Sequence, residues 1–199
     1  MEWEIDPPNI NHMGNLLKII LLTSFLLTLS PIITNAAGPL DPVRLNSWVI
    51  NAGVGPGTHF FGNGAGFGPA LKGSFETGMW DLGPGVVTLG GEATFSFFSN
   101  HYGDGWNESW VNFIFGARAA WHYGWNVEGL DTYGGIPAGI GFCAHTFDDH
   151  PGNSGYTPVY PYFGIFFGAS YFFNKSFGIN GEVGYNSTNA NIGVIFKLK

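Results

Sequence analysis

Apolar and polar residues alternate with a period of two over much of the C-terminal part of the chain. The pattern is clearest at positions 177–186 and 189–199. Since successive side chains of a β-strand point to opposite faces, each run presents one apolar face and one face of polar residues and glycine. The apolar positions of the second run are Ala190, Ile192, Val194, Phe196 and Leu198. A glycine-rich face that also carries charge is not a packed protein core, so the pattern indicates a β-barrel whose apolar side faces lipid.

The same alternation predicts eight strands. They are at positions 48–55, 69–79, 86–97, 109–122, 130–143, 158–173, 177–186 and 189–199. An even number of strands, with both ends on one side, lets the first strand pair with the last, and closure leaves no unpaired sheet edge in lipid. We therefore predict an all-β fold, an eight-stranded antiparallel transmembrane β-barrel in up-and-down meander order. Pro137 cannot donate to the ladder of the fifth strand, and we expect it to mark a bulge.

The connectors between these strands differ in length and composition. Those at 55–68, 98–108 and 144–157 are long and rich in Gly, Asn, His and Asp, whereas 79–85, 122–129 and 174–176 are shorter. Outer-membrane barrels carry their longer loops on the outer side, which puts both chain ends on the periplasmic side. Aromatic residues near the strand ends predict interfacial girdles. These residues are Trp80, Trp121, Tyr123 and Trp125 on the inner side and Phe97, Phe98, Trp106 and Trp110 on the outer side.

A leader precedes the predicted barrel. Lys18 lies near the start of an apolar run at 16–29, and the small residues Ala36 and Ala37 follow it. The run is shorter than the roughly 20 apolar residues that a spanning helix needs. We predict that residues 1–37 are a leader with a cleaved signal peptide. Met13 is the better start, because acidic residues follow Met1. Positions 38–47 would then be a short N-terminal segment and 48–199 the barrel.

Composition and charge narrow the class of protein further. Charged residues make up 11% of the chain, against about 25% in soluble domains. Without the leader, the chain keeps six Lys or Arg and eleven Asp or Glu residues. This balance gives no basic surface for nucleic acid, and the lone Cys143 excludes an internal disulfide. A soluble ligand-binding barrel with its apolar face inside is the structural alternative, and the predicted girdles and the charged second face argue against it.

Several segments resemble a known family. Positions 167–178, 181–185 and 193–197 resemble the end of the outer-membrane β-barrel domain family, the small OmpA/OmpX-like eight-stranded barrels of Gram-negative bacteria, and 131–141 resembles its fifth strand. The resemblance is specific over 130–199 and looser over 48–123. It implies a barrel in the bacterial outer membrane, in contact with outer-membrane lipid and lipopolysaccharide and inserted by the barrel-insertion machinery. It implies no particular activity. The chain departs from the family in ending on Lys199 rather than on an aromatic residue, so either Leu198 substitutes for that residue or Phe196 is read instead.

Charged residues on the inward face are the candidate site. They are Lys72, Glu76, Glu92, Arg118 and Glu182. The lumen of an eight-stranded barrel is just wide enough for its own side chains, and buried charges are costly unless they pair. We expect a polar plug in which Arg118 bridges Glu92 on the third strand, with Tyr133 and Tyr162 filling space. Acid–base chemistry by the paired carboxylates is the less favoured interpretation.

Histidine and aspartate residues of the connectors and strand ends form a second candidate group. They are His59, His101, His122, His145 and His150, with Asp104, Asp148 and Asp149. Such residues can bind a metal or form a hydrolase site, but their spacing matches no ligand motif, and no serine lies in a nucleophile elbow. We interpret them as solvated loop residues and predict no metal or cofactor.

Three functions remain compatible with this pattern. The favoured one is a non-enzymatic outer-membrane protein, with a lumen filled by side chains and with surface loops for structural, adhesive or binding roles. Such a protein would be monomeric and at most slightly permeable. The alternatives are a lipid-modifying enzyme in the barrel wall and a small porin-like channel.

Overall fold

The computed structural model describes residues 42–57, 68–102, 106–148 and 157–198. The predicted leader at 1–37 lies outside these ranges, and its cleavage stays a prediction. In the described part of the chain there are nine strands. They are β1 Trp48–Gly57, β2 Gly68–Asp81, β3 Val86–Tyr102, β4 Trp106–Gly124, β5 Leu130–Asp148, β6 Val159–Phe163, β7 Ile165–Phe172, β8 Phe177–Tyr185 and β9 Ala190–Lys197. No helix within the described ranges is long and apolar enough to cross a membrane.

The strands close into a ring. Consecutive strands pair antiparallel, except that β7 pairs with β5 instead of β6, and β1 pairs with β9, where Ile50 lies opposite Phe196. Strands β6 and β7 both pair with β5 and together form one wall segment that is interrupted at Gly164. The predicted all-β barrel of eight antiparallel strands in meander order is therefore confirmed, and it is the fold that the family resemblance implied.

The bulge predicted at Pro137 is wrong. Ala138 lies opposite Phe163 and Gly135 opposite Phe166, so the register of β5 continues past the proline without an inserted residue. The Gly164 N–H donates to the carbonyl oxygen of Pro137 at 3.2 Å, and Pro137 has no N–H to return the bond. Because this second hydrogen bond is missing, the strand opposite Pro137 is interrupted at Gly164 and is divided into β6 and β7. A register shift occurs instead in β2, between Gly78 and Trp80.

Three strands reach beyond their neighbours at the outer end. Pairing of β3 with β4 continues to Tyr102 and Trp106, and pairing of β4 with β5 continues to Asn107 and Asp148. By contrast, the pairing between β2 and β3 ends at Ser96, and that between β5 and β6 ends at Phe142. The predicted connector at 98–108 is therefore largely strand, and the one at 144–157 is strand up to Asp148. The alternation of apolar and polar residues, from which the strands were predicted, ends before these strands do.

The two faces of the barrel differ in the predicted sense. Outward side chains such as Phe163 and Tyr185 are exposed to 68% and 69%. Inward side chains include Thr88 and Glu76, with exposures of 0% and 1%. The apolar side is outside and the polar side inside, which is the reverse of a soluble ligand-binding barrel. At the end where β1 begins and β9 ends, Val43 packs in an apolar cluster with Val49, Phe172 and Ile195, which forms the floor of the lumen.

The face assignment predicts a difference between two arginine substitutions in β9. Val194 has the outward parity and pairs with Ala52 and Ile179, so Val194→Arg places a charge against acyl chains at a cost of about 2–4 kcal/mol near the bilayer centre. Asn191 faces inward, and its Nδ2 lies 3.5 Å from Glu182 Oε1. We expect Val194→Arg to lower the yield of folded barrel, measured by heat-modifiable migration on gels, far more than Asn191→Arg. Equal losses would mean that the faces are reversed.

Candidate functional site

Arg118 lies at the centre of the lumen and contacts three carboxylates. Its Nε is 2.9 Å from Glu76 Oε1, its Nη1 is 3.1 Å from Glu92 Oε2, and its Nη2 is 3.0 Å from Glu182 Oε2. The Nε contact is an ion pair without the alignment of a hydrogen bond. Each guanidinium nitrogen thus faces a carboxylate from a different strand. The sequence anticipated Glu92 as a partner, and the structure adds Glu76 and Glu182.

Lys72 is the second cation of the cluster. Its Nζ lies 2.5 Å from Glu182 Oε1 and 3.2 Å from Glu92 Oε2. The structure therefore brings together all five residues singled out from the sequence, with side-chain exposures of 5% or less. Two of the carboxylates are shared between the lysine and the arginine. Because Glu92 and Glu182 each contact both bases, the two cations and their carboxylates form one connected network of buried charges.

An aromatic ring completes the cluster. Phe166 is fully buried, with the Arg118 Cζ 4.0 Å and the Lys72 Nζ 5.6 Å from its ring centre. Both cations lie within the range of cation–π attraction. Sequence reasoning missed Phe166, although it shares its parity with the inward residues Tyr162 and Ser170.

The turn between β8 and β9 closes the lumen from the outer side. Asn186, Ser187 and Thr188 are exposed by 1% or less. Asn186 Nδ2 donates to Glu182 Oε1 at 3.0 Å, and the Ser187 backbone N–H donates to the Tyr162 hydroxyl oxygen at 3.0 Å.

Hydrogen bonds connect this turn to the barrel wall. Tyr162 donates to Glu92 Oε1 at 2.8 Å and also contacts Asn186 Oδ1. Thr94 and Ser187 share a hydrogen bond of 2.7 Å. The turn at 186–188 is therefore part of the lumen filling.

Two of the histidines do not lie in solvated loops, contrary to the sequence interpretation. His122 is 3% exposed and faces the lumen, with its Nδ1 2.8 Å from Asp131 Oδ2 and its Nε2 3.5 Å from Glu76 Oε2. His145 is part of β5, where its Nε2 lies 2.6 Å from Glu108 Oε1. The parity of His122 matches that of Arg118, which was the available signal.

The remaining members of that group are not placed by the structure. His59, Asp104, Asp149 and His150 lie outside the described residues, and the side chains of His101 and Asp148 are likewise undescribed. Among the described residues, no group of three or more His, Cys, Asp or Glu side chains could hold a metal ion.

The girdle prediction needs two corrections. Trp110 is fully buried, and its ring stacks on His145 with ring centres 4.8 Å apart. Tyr123 is 6% exposed, because it packs edge-on against Trp125 and beside Trp121. The exposed girdle positions that the structure describes are Trp80, Phe97 and Trp121. The side chain of Trp106 is outside the described set.

Comparison with known proteins gives matches to solved structures. No family model and no curated protein matches the chain. Ail, the attachment invasion locus protein of Yersinia pestis, matches with 11% identity and a TM-score of 0.45, over 77% of this chain and 96% of that chain. Its complex with the heparin analogue sucrose octasulfate matches over the same shares with 12% identity and a TM-score of 0.43. The N-terminal β-barrel domain of Pseudomonas aeruginosa OprF matches with 20% identity and a TM-score of 0.41, over 77% and 98%. At these identities the similarity concerns the fold alone.

Proposed function

We propose that this chain is a monomeric, non-enzymatic protein of the bacterial outer membrane whose lumen is closed by its own side chains. The observation that carries the proposal is the Arg118 network, in which three carboxylates surround one guanidinium that is 1% exposed. An apolar exterior and a polar interior suit a barrel in a bilayer. The eight-stranded ring leaves too little cross-section for both a side-chain core and a water column.

The arrangement of the lumen supports a closed barrel rather than a small porin. Ions would have to pass the bases Lys72 and Arg118, which are held by shared carboxylates, and then the buried turn at 186–188. On the other side, the apolar cluster around Val43 and Ile195 fills the floor.

The placement of the histidines favours a non-enzymatic role over lipid modification. A lipid-modifying enzyme of the barrel wall needs its acid–base group at the lipid-facing surface. His122 and His145 are exposed by only 3% and 5% and lie on the inward side of their strands. His122 is engaged with Asp131 and Glu76, which suits a structural role in the lumen.

The outer ends of β3, β4 and β5 are the surface that we propose for binding. They continue beyond the pairing of β2 and β6, so they form a three-stranded sheet at the outer end. Sheet edges can pair with an added strand of a partner. Outer-membrane lipid and lipopolysaccharide surround the barrel wall in this proposal, and the barrel-insertion machinery acts during its assembly.

Conductance measurements test the closed lumen. Purified protein in planar bilayers should show little or no steady conductance, because the charge network occupies the cross-section. Heat-modifiable migration on gels provides the control that the reconstituted protein is folded. Large, stable channels from the unmodified protein would overturn the proposal, whereas activity on outer-leaflet lipid in a hydrolysis or acyl-transfer assay would favour the enzyme.

A further inference from the structure

A recess opens at the end of the barrel where β1 begins and β9 ends. Its volume is about 920 Å³. Three basic side chains line it and come from three separate segments, Arg44 before β1, Lys175 between β7 and β8, and Lys197 at the end of β9. Glu128 is the acid of the lining, so the titratable side chains of the recess carry a net charge of two positive units. A pocket of this sign suits an anionic group.

Local hydrogen bonds fix the segments that carry these bases. Asn174 Oδ1 accepts bonds from the backbone N–H groups of Ser176 and Phe177, both at 2.9 Å, which shapes the turn around Lys175. The Lys197 Nζ donates to the carbonyl oxygen of Pro42 at 2.9 Å. Hydrogen bonds therefore position the segments that carry these bases, and they tie the residues before β1 to the end of β9.

The segment of Arg44 is fixed by a tight turn. Its backbone N–H donates to Ser47 Oγ at 2.9 Å. Asn46 has a φ of 61°, a left-handed conformation that asparagine tolerates better than most residues. The Asn46 N–H also donates to the Gly78 carbonyl oxygen at 2.8 Å. This turn ties Arg44 to the inner end of β2.

The basic residues outside the leader and the lumen are concentrated at the recess. Of the seven Lys and Arg residues, Lys18 falls in the predicted leader, and Lys72 and Arg118 belong to the lumen. The other four are Arg44, Lys175, Lys197 and Lys199. Arg44, Lys175 and Lys197 line the recess, and the long outer connectors contain no Lys or Arg at all. The basic side chains that can contact lipid head groups are therefore at the end of the barrel that carries the recess.

The recess also has an apolar wall that faces the lipid. Leu45, Tyr171 and Phe173 line it, and their exposures are 48%, 45% and 57%. Tyr171 lies on the outward face of β7, where it is continuous with the lipid-facing surface. A ligand in this position can place an anionic group against the bases and an apolar part along the aromatic rings.

We propose that the recess binds a glycerophospholipid of the periplasmic leaflet through its phosphate. Arg44, Lys175 and Lys197 hold the phosphate oxygens by charge-assisted hydrogen bonds, and the glycerol and first acyl carbons pack on Tyr171 and Phe173. A base near a membrane surface contributes to the binding of anionic lipid. The inference rests on the outer-membrane location proposed above.

Titration with a short-chain lipid tests this site. The barrel is held in a maltoside detergent free of phosphate, and dihexanoyl phosphatidylglycerol is added while the backbone amide signals of Gly129 and Asn174 are followed by NMR. Both residues line the recess. We expect saturable shifts with the lipid, none with dihexanoylglycerol, and weaker binding of inorganic phosphate. Binding of inorganic phosphate as tight as that of the lipid would identify a free-anion site and overturn the lipid assignment.

Variants of Lys175 provide the matched control. Lys175→Gln should weaken lipid binding roughly fivefold, because one base is lost, while Lys175→Arg should retain it. Unchanged affinity in Lys175→Gln would overturn the inference. If Lys175→Gln keeps its affinity for the lipid while the protein folds, fractionates with outer membranes and does not conduct, the inference about this site is wrong and the proposed function stands. An unmodified protein absent from outer membranes contradicts the proposed function instead.

Discussion

Replacement of Arg118 by methionine is expected to lower the free energy of unfolding by about 3–5 kcal/mol, which is the range for removing one partner of a buried ion pair. The side-chain volume is nearly kept, but three carboxylates lose their common counter-ion. Lys72 remains for Glu92 and Glu182, whereas Glu76 keeps only Thr88 and His122 nearby. Urea titration of the barrel in micelles, followed by heat-modifiable migration, measures the change.

Two further variants separate charge from packing in this experiment. Ala117→Met adds the same side chain at the adjacent outward position and should leave the stability within about 0.5 kcal/mol of the unmodified barrel. Removing one carboxylate as well, in Arg118→Met with Glu182→Gln, should recover part of the loss, since the two residues are in direct contact. A single variant as stable as the unmodified barrel would show that the network adds nothing to folding.

Substitution of Gly90 by alanine should also be strongly destabilising. A Cβ atom at this inward position would lie 1.8 Å from the carbonyl oxygen of Phe75 and 2.7 Å from the Glu76 Cα, both of them backbone atoms of the neighbouring strand. The strands must separate to admit it, at a cost of roughly 3 kcal/mol, the upper part of the range for overpacking. The same unfolding titration measures the loss.

Gly73 is the matched control for Gly90. A Cβ there would have its nearest neighbour, the Asn51 carbonyl oxygen, at 3.8 Å. Gly73→Ala should therefore be neutral or stabilising by about 0.5–1 kcal/mol, because alanine loses less backbone entropy in a strand. Similar losses for the two variants would contradict the close strand approach at Gly90.

The sequence was sufficient for the strand order and the two faces because a barrel with an apolar outside and a polar inside imposes a period of two along each strand. Counting along the alternation placed Val183 and Ile192 on the outward face. The same count placed Glu182 and Asn191 on the inward face. The same rule does not apply above the bilayer, where residues such as Ser99 and Thr146 remain in strands without an apolar face to mark them. The lengths of β3, β4 and β5 at the outer side were therefore underestimated.

Contacts across the lumen could not be derived from the pattern. Glu92 lies one strand away from Arg118, so its proximity follows from strand order alone. Glu182 belongs to β8, and it meets Arg118 only because the closed ring is narrow enough for side chains from opposite walls to touch. The depth of the turn at 186–188 depends on the same closure.

Two residues were misplaced because their assignment followed residue type and not their position in the alternation of inward and outward side chains. Trp110 was assigned to a girdle because tryptophan is frequent at membrane interfaces, although it shares the inward parity of Asn112. His122 was grouped with loop residues because histidine is usually solvated, although it shares the parity of Arg118. Within a regular strand, position along the alternation was the better guide than the identity of the residue.

The pairing of β1 with β9 has a consequence for the order of folding. The other strand pairs form between neighbours in the chain, whereas Ile50 and Phe196 come from opposite ends of the barrel sequence. Loop-closure entropy delays contacts between distant residues, so we expect this pairing to form last. Until then the chain is a curled sheet with two open edges, and the edge groups of both strands must be kept from aggregating. We therefore expect the closure of this seam to limit how fast the protein reaches its native form.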